Sequence, residues 1–188
     1  MKSLKATITG IAPLVQHSEN LCNPLHPITR DLKKLTKLRN KTDDIINQIK
    51  WLEWRGGMYS HDGRPVIPAD NILANTVHGA RRFKKGKHVE GGVITAQPHF
   101  FLQYKGPRTV DKLEGNDDFC DYRSVVVNRA RVMRARPLFR EWSVDIEWLF
   151  DPEIIEEDDL RQAILMGGER VGLMERRPRC GRFIAEFK

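Results

Sequence analysis

Apolar and polar residues alternate from the start of the chain. Leu4, Ala6 and Ile8 stand between Lys5, Thr7 and Thr9, a period of two that predicts a half-buried strand from Lys2 to Ile11. Pro13, Pro24 and Pro27 then mark a loop, and Pro27 is placed to open a short helix carrying Leu32, Leu35 and Leu38. Thr42 followed by Asp43 and Asp44 is a strong helix start, because the hydroxyl caps free N–H groups and the acids suit the positive end of the dipole. Ile45, Ile46, Ile49 and Leu52 form its apolar stripe, which Gly56 and Gly57 are expected to stop. His61-Asp62-Gly63-Arg64 reads as a hairpin turn within Met58–Ile67. Pro68 and Asp70 open the next helix, with Ile72, Leu73, Val77 and Ala80 inward.

The second half reads as mostly strands. Gly91 and Gly92 precede a strand at Val93–Ala96, with His99–Tyr104 as its continuation or partner. Asp111–Asp121, acidic and glycine-containing, is expected to be a surface loop. A strand-like region runs from Val125 to Arg136 and is expected to end at Pro137. Trp142, Val144, Ile146 and Trp148 alternate cleanly, so both tryptophans are core candidates. Asp158 or Asp159 is expected to cap a helix with Leu160, Ala163, Ile164 and Val171 inward, and Phe183, Ala185 and Phe187 alternate in a last strand. With residues 24–67 set aside as an insertion after the first strand, the order is β-α-β-β-α-β. The expected fold class is therefore α+β: a ferredoxin-like (RNA-recognition-motif) core with a helical and hairpin insertion, one domain over residues 1–188.

Composition narrows the class. The 188 residues are 40% hydrophobic and 30% charged, which suits a folded domain and is too apolar for a disordered chain. No apolar run approaches the roughly 20 residues of a membrane helix, and residues 1–10 lack the apolar stretch of a secretory signal. Three widely spaced cysteines, Cys22, Cys120 and Cys180, imply no disulfide framework and point to the cytoplasm.

Charge changes the picture most. The net charge is +7, and 12 of the 19 arginines lie at or after Arg123. Basic residues cluster at Lys33, Lys34, Lys37, Arg39 and Lys41; at Arg81, Arg82, Lys84, Lys85 and Lys87; and at Arg123, Arg129, Arg131, Arg134, Arg136 and Arg140. A fourth group, Arg170, Arg176, Arg177, Arg179 and Arg182, surrounds a glycine-rich stretch. Acids gather at 111–121 and 151–159, which favours one basic and one acidic face. Arginine binds phosphate bidentately and stacks on bases, so an anionic partner, nucleic acid foremost, is expected. Arg129 and Arg131 share one strand face and Arg134 and Arg136 the other, so convergence of all four needs a bulge or turn near Val132; in the alternative, a hairpin, the tip arginines are free to reach a neighbouring subunit or strand. Among the aromatics near the insertion, Trp51 fits the helical stripe, which leaves Trp54 and Tyr59 as base-stacking candidates.

Catalytic signatures are sparse. There is no phosphate-binding G-x-x-x-x-G-K-[ST] loop, no C-x-x-C, no H-E-x-x-H and no G-x-S-x-G. His17, Cys22 and His26 are irregularly spaced for zinc and lack an evident fourth ligand. His17 and His26 are also candidates for general acid–base chemistry on an RNA 2′-hydroxyl. No cofactor, metal or catalytic residue is assigned.

The segment Gly167-Gly168-Glu169-Arg170-Val171-Gly172-Leu173, followed by Gly181-Arg182-Phe183, resembles the glycine-rich loop of the repeat-associated (RAMP) superfamily. Ile8–Leu14 resembles that superfamily's first strand and loop, and Val66-Ile67-Pro68-Ala69-Asp70 resembles its first helix entry. The usual short-spaced glycines are loosened here by Glu175-Arg176-Arg177-Pro178. The whole chain looks most like the backbone subunit of CRISPR effector complexes and small phage-encoded relatives. The resemblance implies sequence-independent binding of single-stranded nucleic acid, RNA favoured over DNA, along a homo-oligomeric filament with other effector subunits and without a membrane. By that analogy Arg170, Arg176, Arg177 and Arg179 line the strand. Two alternatives remain: a metal-independent endoribonuclease using His17 or His26, and a phage protein that mimics a backbone subunit (anti-CRISPR-like) or binds single-stranded DNA.

Overall fold

The computed structural model describes residues 1–188. Strand β1 (Lys2–Gly10) buries Leu4, Ala6 and Ile8 and exposes Lys5 between them, as its alternation predicts. A two-residue strand β2 (Leu14–Val15) follows. Helix α1 (Pro27–Thr36) carries proline in its first turn, where the missing N–H costs nothing. Helix α2 (Asp43–Gly57) is capped by Thr42, whose hydroxyl accepts from the Ile45 N–H at 3.4 Å. α2 ends where Gly56 and Gly57 are expected to stop it. They form its last turn, and a Cβ at Gly57 would lie 3.2 Å from Pro137, so these glycines permit close packing.

Strands β3 (Ser60–His61) and β4 (Arg64–Pro68) form the expected hairpin. Its turn residues Asp62 and Gly63 have φ of 49° and 68°, the left-handed pair that a two-residue turn of this hand requires. Helix α3 (Ala69–Ala80) ends in a 3-10 turn through Arg81–Phe83. Helix α4 (Gly86–Gly92) was not evident from the sequence, where its three glycines weaken the helical signal. Then come β5 (Val93–Thr95), β6 (His99–Phe101), a short α5 (Val110–Leu113), β7 (Cys120–Val127), β8 (Ala130–Phe139) and β9 (Ser143–Phe150). Helix α6 (Glu157–Met166) runs into a π-helical turn at Gly167–Val171, and β10 (Phe183–Phe187) is last.

The architecture is α+β with several antiparallel sheets. The largest has four strands in the order β10-β1-β9-β5, every neighbouring pair antiparallel. Val144, Ile146, Trp148 and Phe150 of β9 join Leu4, Ala6 and Ile8 of β1 in one apolar core with Ile72 of α3 and Leu160, Ala163 and Ile164 of α6. Two smaller sheets have the orders β2-β8-β7 and β3-β4-β6. The inserted segment shares the same core through Trp54, Met58 and Ile67. No helix is long and apolar enough to cross a membrane.

Of the two readings of Val125–Arg136, the hairpin is the one observed: β7 and β8 pair around a turn at Asn128–Arg129, at φ 48° and 67°. Several local expectations are corrected. Pro137 lies inside β8 rather than ending it. β2 pairs only with Leu138 and Phe139, and Pro137 needs to offer only its carbonyl, which accepts from the Gln16 N–H at 3.0 Å. Segment 111–121 is no simple loop, since Leu113 is wholly buried and Asp121 nearly so. Asp158 and Asp159 stand in the first turn of α6, and Glu156 precedes it without a side-chain cap. β6 neither continues β5 nor pairs with it; it pairs with β4.

Candidate nucleic-acid interface

Two small-residue contacts set the site. Gly79 in α3 faces α6 so closely that a Cβ would overlap the Ala163 carbonyl oxygen and lie 2.7 Å from the Gly167 nitrogen. One turn earlier, the buried Asn75 amide donates to the carbonyls of Gly167 at 3.0 Å and Gly172 at 2.7 Å. Both carbonyls belong to the glycine-rich stretch after α6, so Asn75 pins that stretch against α3.

The pinning brings the second and fourth basic clusters together. Arg81 and Arg82, just past α3, share a cleft of about 710 Å³ with Arg170, Arg176 and Arg177, and His78, Val171, Met174, Glu175 and Pro178 complete its wall. Arg170 sits in the π-helical turn, a distortion that recurs at functional sites. In the loop that follows, Met174 and Arg176 hold φ of 59° and 64°, conformations strained for residues with a Cβ. Hydrogen bonds hold that loop in place: Leu173 N–H to Gly181 O at 2.9 Å, Glu175 N–H to Val15 O at 3.1 Å, and Gly181 N–H to Pro13 O at 2.8 Å.

The cleft is strongly positive. Arg176 donates to Asp121 at 3.1 Å and Arg170 approaches Glu169 only at 4.0 Å, while Arg81, Arg82 and Arg177 make no ion pair within the chain. Desolvation, then the charges of Arg81 and Arg177, lower the pKa of His78 and so favour its neutral form. Sequence reasoning missed His78. Its place three residues before Arg81, on the same helix face, was the available signal.

Glu175 links this cleft to a second one. Its carboxylate lies 3.3 Å from Arg136 and 3.9 Å from His17. Arg136 and His17 line a cleft of about 380 Å³ between α1 and the β7–β8 hairpin, with Lys33, Glu53 and Arg134 among its walls. Arg134 is paired with Glu53, whose second oxygen accepts from the Ala135 N–H at 3.2 Å. Arg134, Arg136 and Arg176 are therefore matched by carboxylates already. Arg129 and Arg131 are exposed at the hairpin tip. Lys84, Lys87 and Arg179 are exposed outside the cleft, and Lys85 pairs with Asp159 at 3.0 Å.

The stacking assignment of Trp54 is corrected. Trp54 is 0% exposed and donates its indole N–H to the Phe119 carbonyl at 2.8 Å, so no base can reach it. Trp51 is the more open of the two, and Lys50 sits over its ring. The helical stripe turns Trp54 inward because α2 packs on β8 and the 111–121 segment, a surface that periodicity alone does not reveal. Tyr59 is half-buried, with its hydroxyl 3.4 Å from the His17 carbonyl.

The two histidines have different settings. Burial, and next Arg136, lower the pKa of His17. His26 precedes α1, and its Nδ1 is buried without a hydrogen-bond partner. No three His, Cys, Asp or Glu side chains gather as metal ligands. No protein-family model matches the chain, and no curated protein matches it in sequence.

Proposed function

We propose that this chain is a non-catalytic subunit that binds single-stranded nucleic acid, with RNA favoured over DNA, on a ferredoxin-like, RNA-recognition-motif-type domain. The observation that carries this reading is the convergence of Arg81, Arg82, Arg170, Arg176 and Arg177 on one open cleft, three of them without an internal carboxylate. Planar guanidiniums spread along such a cleft suit successive phosphates of a strand and demand no base sequence. The sheet order β10-β1-β9-β5, with α3 after the first strand and α6 after the third, supports the β-α-β-β-α-β reading. By resemblance to the RAMP superfamily, the subunit acts in the cytoplasm as one of several copies along a filament.

The test is fluorescence anisotropy with single-stranded RNA, single-stranded DNA and duplex across a salt series. Replacing Arg81, Arg82 and Arg177 together by Ala should weaken single-strand binding and flatten the log–log salt slope by about 2, at about 0.7 per lost phosphate contact. Unchanged affinity and slope would overturn the assignment of this cleft. A second reading rests on His17, a histidine of lowered pKa beside Arg134, Arg136 and Lys33 in the smaller cleft. An endoribonuclease of that design would cleave RNA in the presence of a chelator and lose the activity in His17→Ala.

A further inference from the structure

The face of the β3-β4-β6 sheet that carries His61 and Arg64 has a structural peculiarity that packing does not explain. Alternate residues bring the His61, Arg64, His99 and Phe101 side chains to it. The His61 and His99 rings are in close, tilted contact, with centroids 3.7 Å apart and planes at 36°. Phe101 meets His99 edge-on at 5.7 Å, and the Arg64 guanidinium lies over the Phe101 ring at 4.2 Å. None of these four side chains belongs to the buried core, and the His61 side chain is 48% exposed. Arg64 makes no ion pair; the acid beside the two rings is Asp62, 3.4 Å from His61 Nε2.

Resting on the single-strand reading above, we propose that this sheet face is a nucleobase-stacking subsite, where a base splayed from the strand lies on the exposed face of His61 beside Arg64. His61, braced by His99 and half exposed, offers a flat ring to a further aromatic ring, and base–aromatic stacking tolerates any sequence. Arg64 adds a cation to the platform. Asp62 disfavours a phosphate and can accept from an exocyclic amine, so the chemistry selects a base over the backbone. The subsite is separate from the arginine cleft. β4 leads directly into α3, so the platform stands at the N-terminal end of that helix and the cleft at its C-terminal end, about 18 Å away along its axis. The cleft takes phosphates and the platform takes a base.

The test compares a base-bearing single strand with an abasic strand of equal length and charge, bound to the full chain at one salt concentration. His61→Ala should weaken the base-bearing strand at least about fivefold and leave the abasic strand unchanged. His61→Phe, which keeps a flat ring, should restore binding. Equal effects on both strands, as expected if the face docks a protein instead, or no effect on either, would overturn the subsite. Failure of the unaltered protein to bind any strand would overturn the single-strand reading itself, a different result from binding that ignores the bases.

Discussion

The Arg176 guanidinium donates to the Asp121 carboxylate at 3.1 Å and so ties the strained loop after α6 to the base of the β7–β8 hairpin. Asp121 is only 5% exposed and also accepts from Arg123 Nε at 2.6 Å. Removing it strands two guanidiniums. Both are partly open to solvent, which softens the penalty. Asp121→Ala should lower stability by about 1–3 kcal/mol, read from the midpoint of urea denaturation.

Asn75 holds two carbonyls of the glycine-rich stretch at once. Asn75→Leu leaves both buried acceptors without this donor and should lower stability by about 2–4 kcal/mol. Binding should fall as well, since Arg170 and Arg177 lose their fixed spacing from Arg81. Hydrogen exchange should show faster opening of residues 167–181 than of β1.

Gly79 meets backbone, not a side chain that can swing aside. Gly79→Ala must push α3 from α6, and the gain in helix propensity does not offset that shift. A net loss of about 1–3 kcal/mol is expected by thermal or chemical denaturation. Gly91→Ala is the control. Nothing lies within 4 Å of its Cβ position, and it should stabilise or be neutral.

Asp145 accepts from Lys188 at 2.7 Å, Thr7 at 2.6 Å and Gln103 at 2.8 Å, and these bonds hold its carboxyl at about 2, down from 3.8. The folded value lies below the unfolded one, so the carboxylate stabilises the fold fully above the ordinary value. That contribution disappears as pH falls from about 4 to about 2. The side chain is half exposed and the effect is correspondingly small. Denaturation midpoints of Asp145→Asn and the unaltered protein should converge as pH drops through that window.

Much of the fold was legible because local signals agreed with it. β1, β9 and β10 alternate cleanly, Thr42 caps α2, and Asp62-Gly63 turns the first hairpin. The second hairpin was harder. Asn128–Arg129 adopts a glycine-like turn without glycine, and arginine at φ 67° gives no warning. The arginine cleft was legible as clusters but not as a place, since Arg81 and Arg177 meet only through the α3–α6 contact at Gly79. Trp54 was misplaced for the same reason: a stripe shows which residues share a side, and while Trp51 packs against the core as expected, the stripe does not reveal that Trp54 meets β8. His61 was read in a hairpin turn and His99 in a strand of unassigned partner, and only the pairing of β4 with both β3 and β6 brings the two rings together.

The central position of β1 governs how the chain reaches this structure. Its partners are β9 and β10, and Thr7 bonds Asp145 across 138 residues, whereas the β7–β8 hairpin closes on itself through Val127 and Ala130. Hairpin formation is a matter of microseconds, while distant pairings wait for a long loop to close. During synthesis β1 emerges early and remains without its sheet neighbours until Phe150 has left the ribosome. A strand whose only partners lie so far along the chain is thus seated late, and closing the four-stranded sheet is expected to be slower than closing the β7–β8 hairpin.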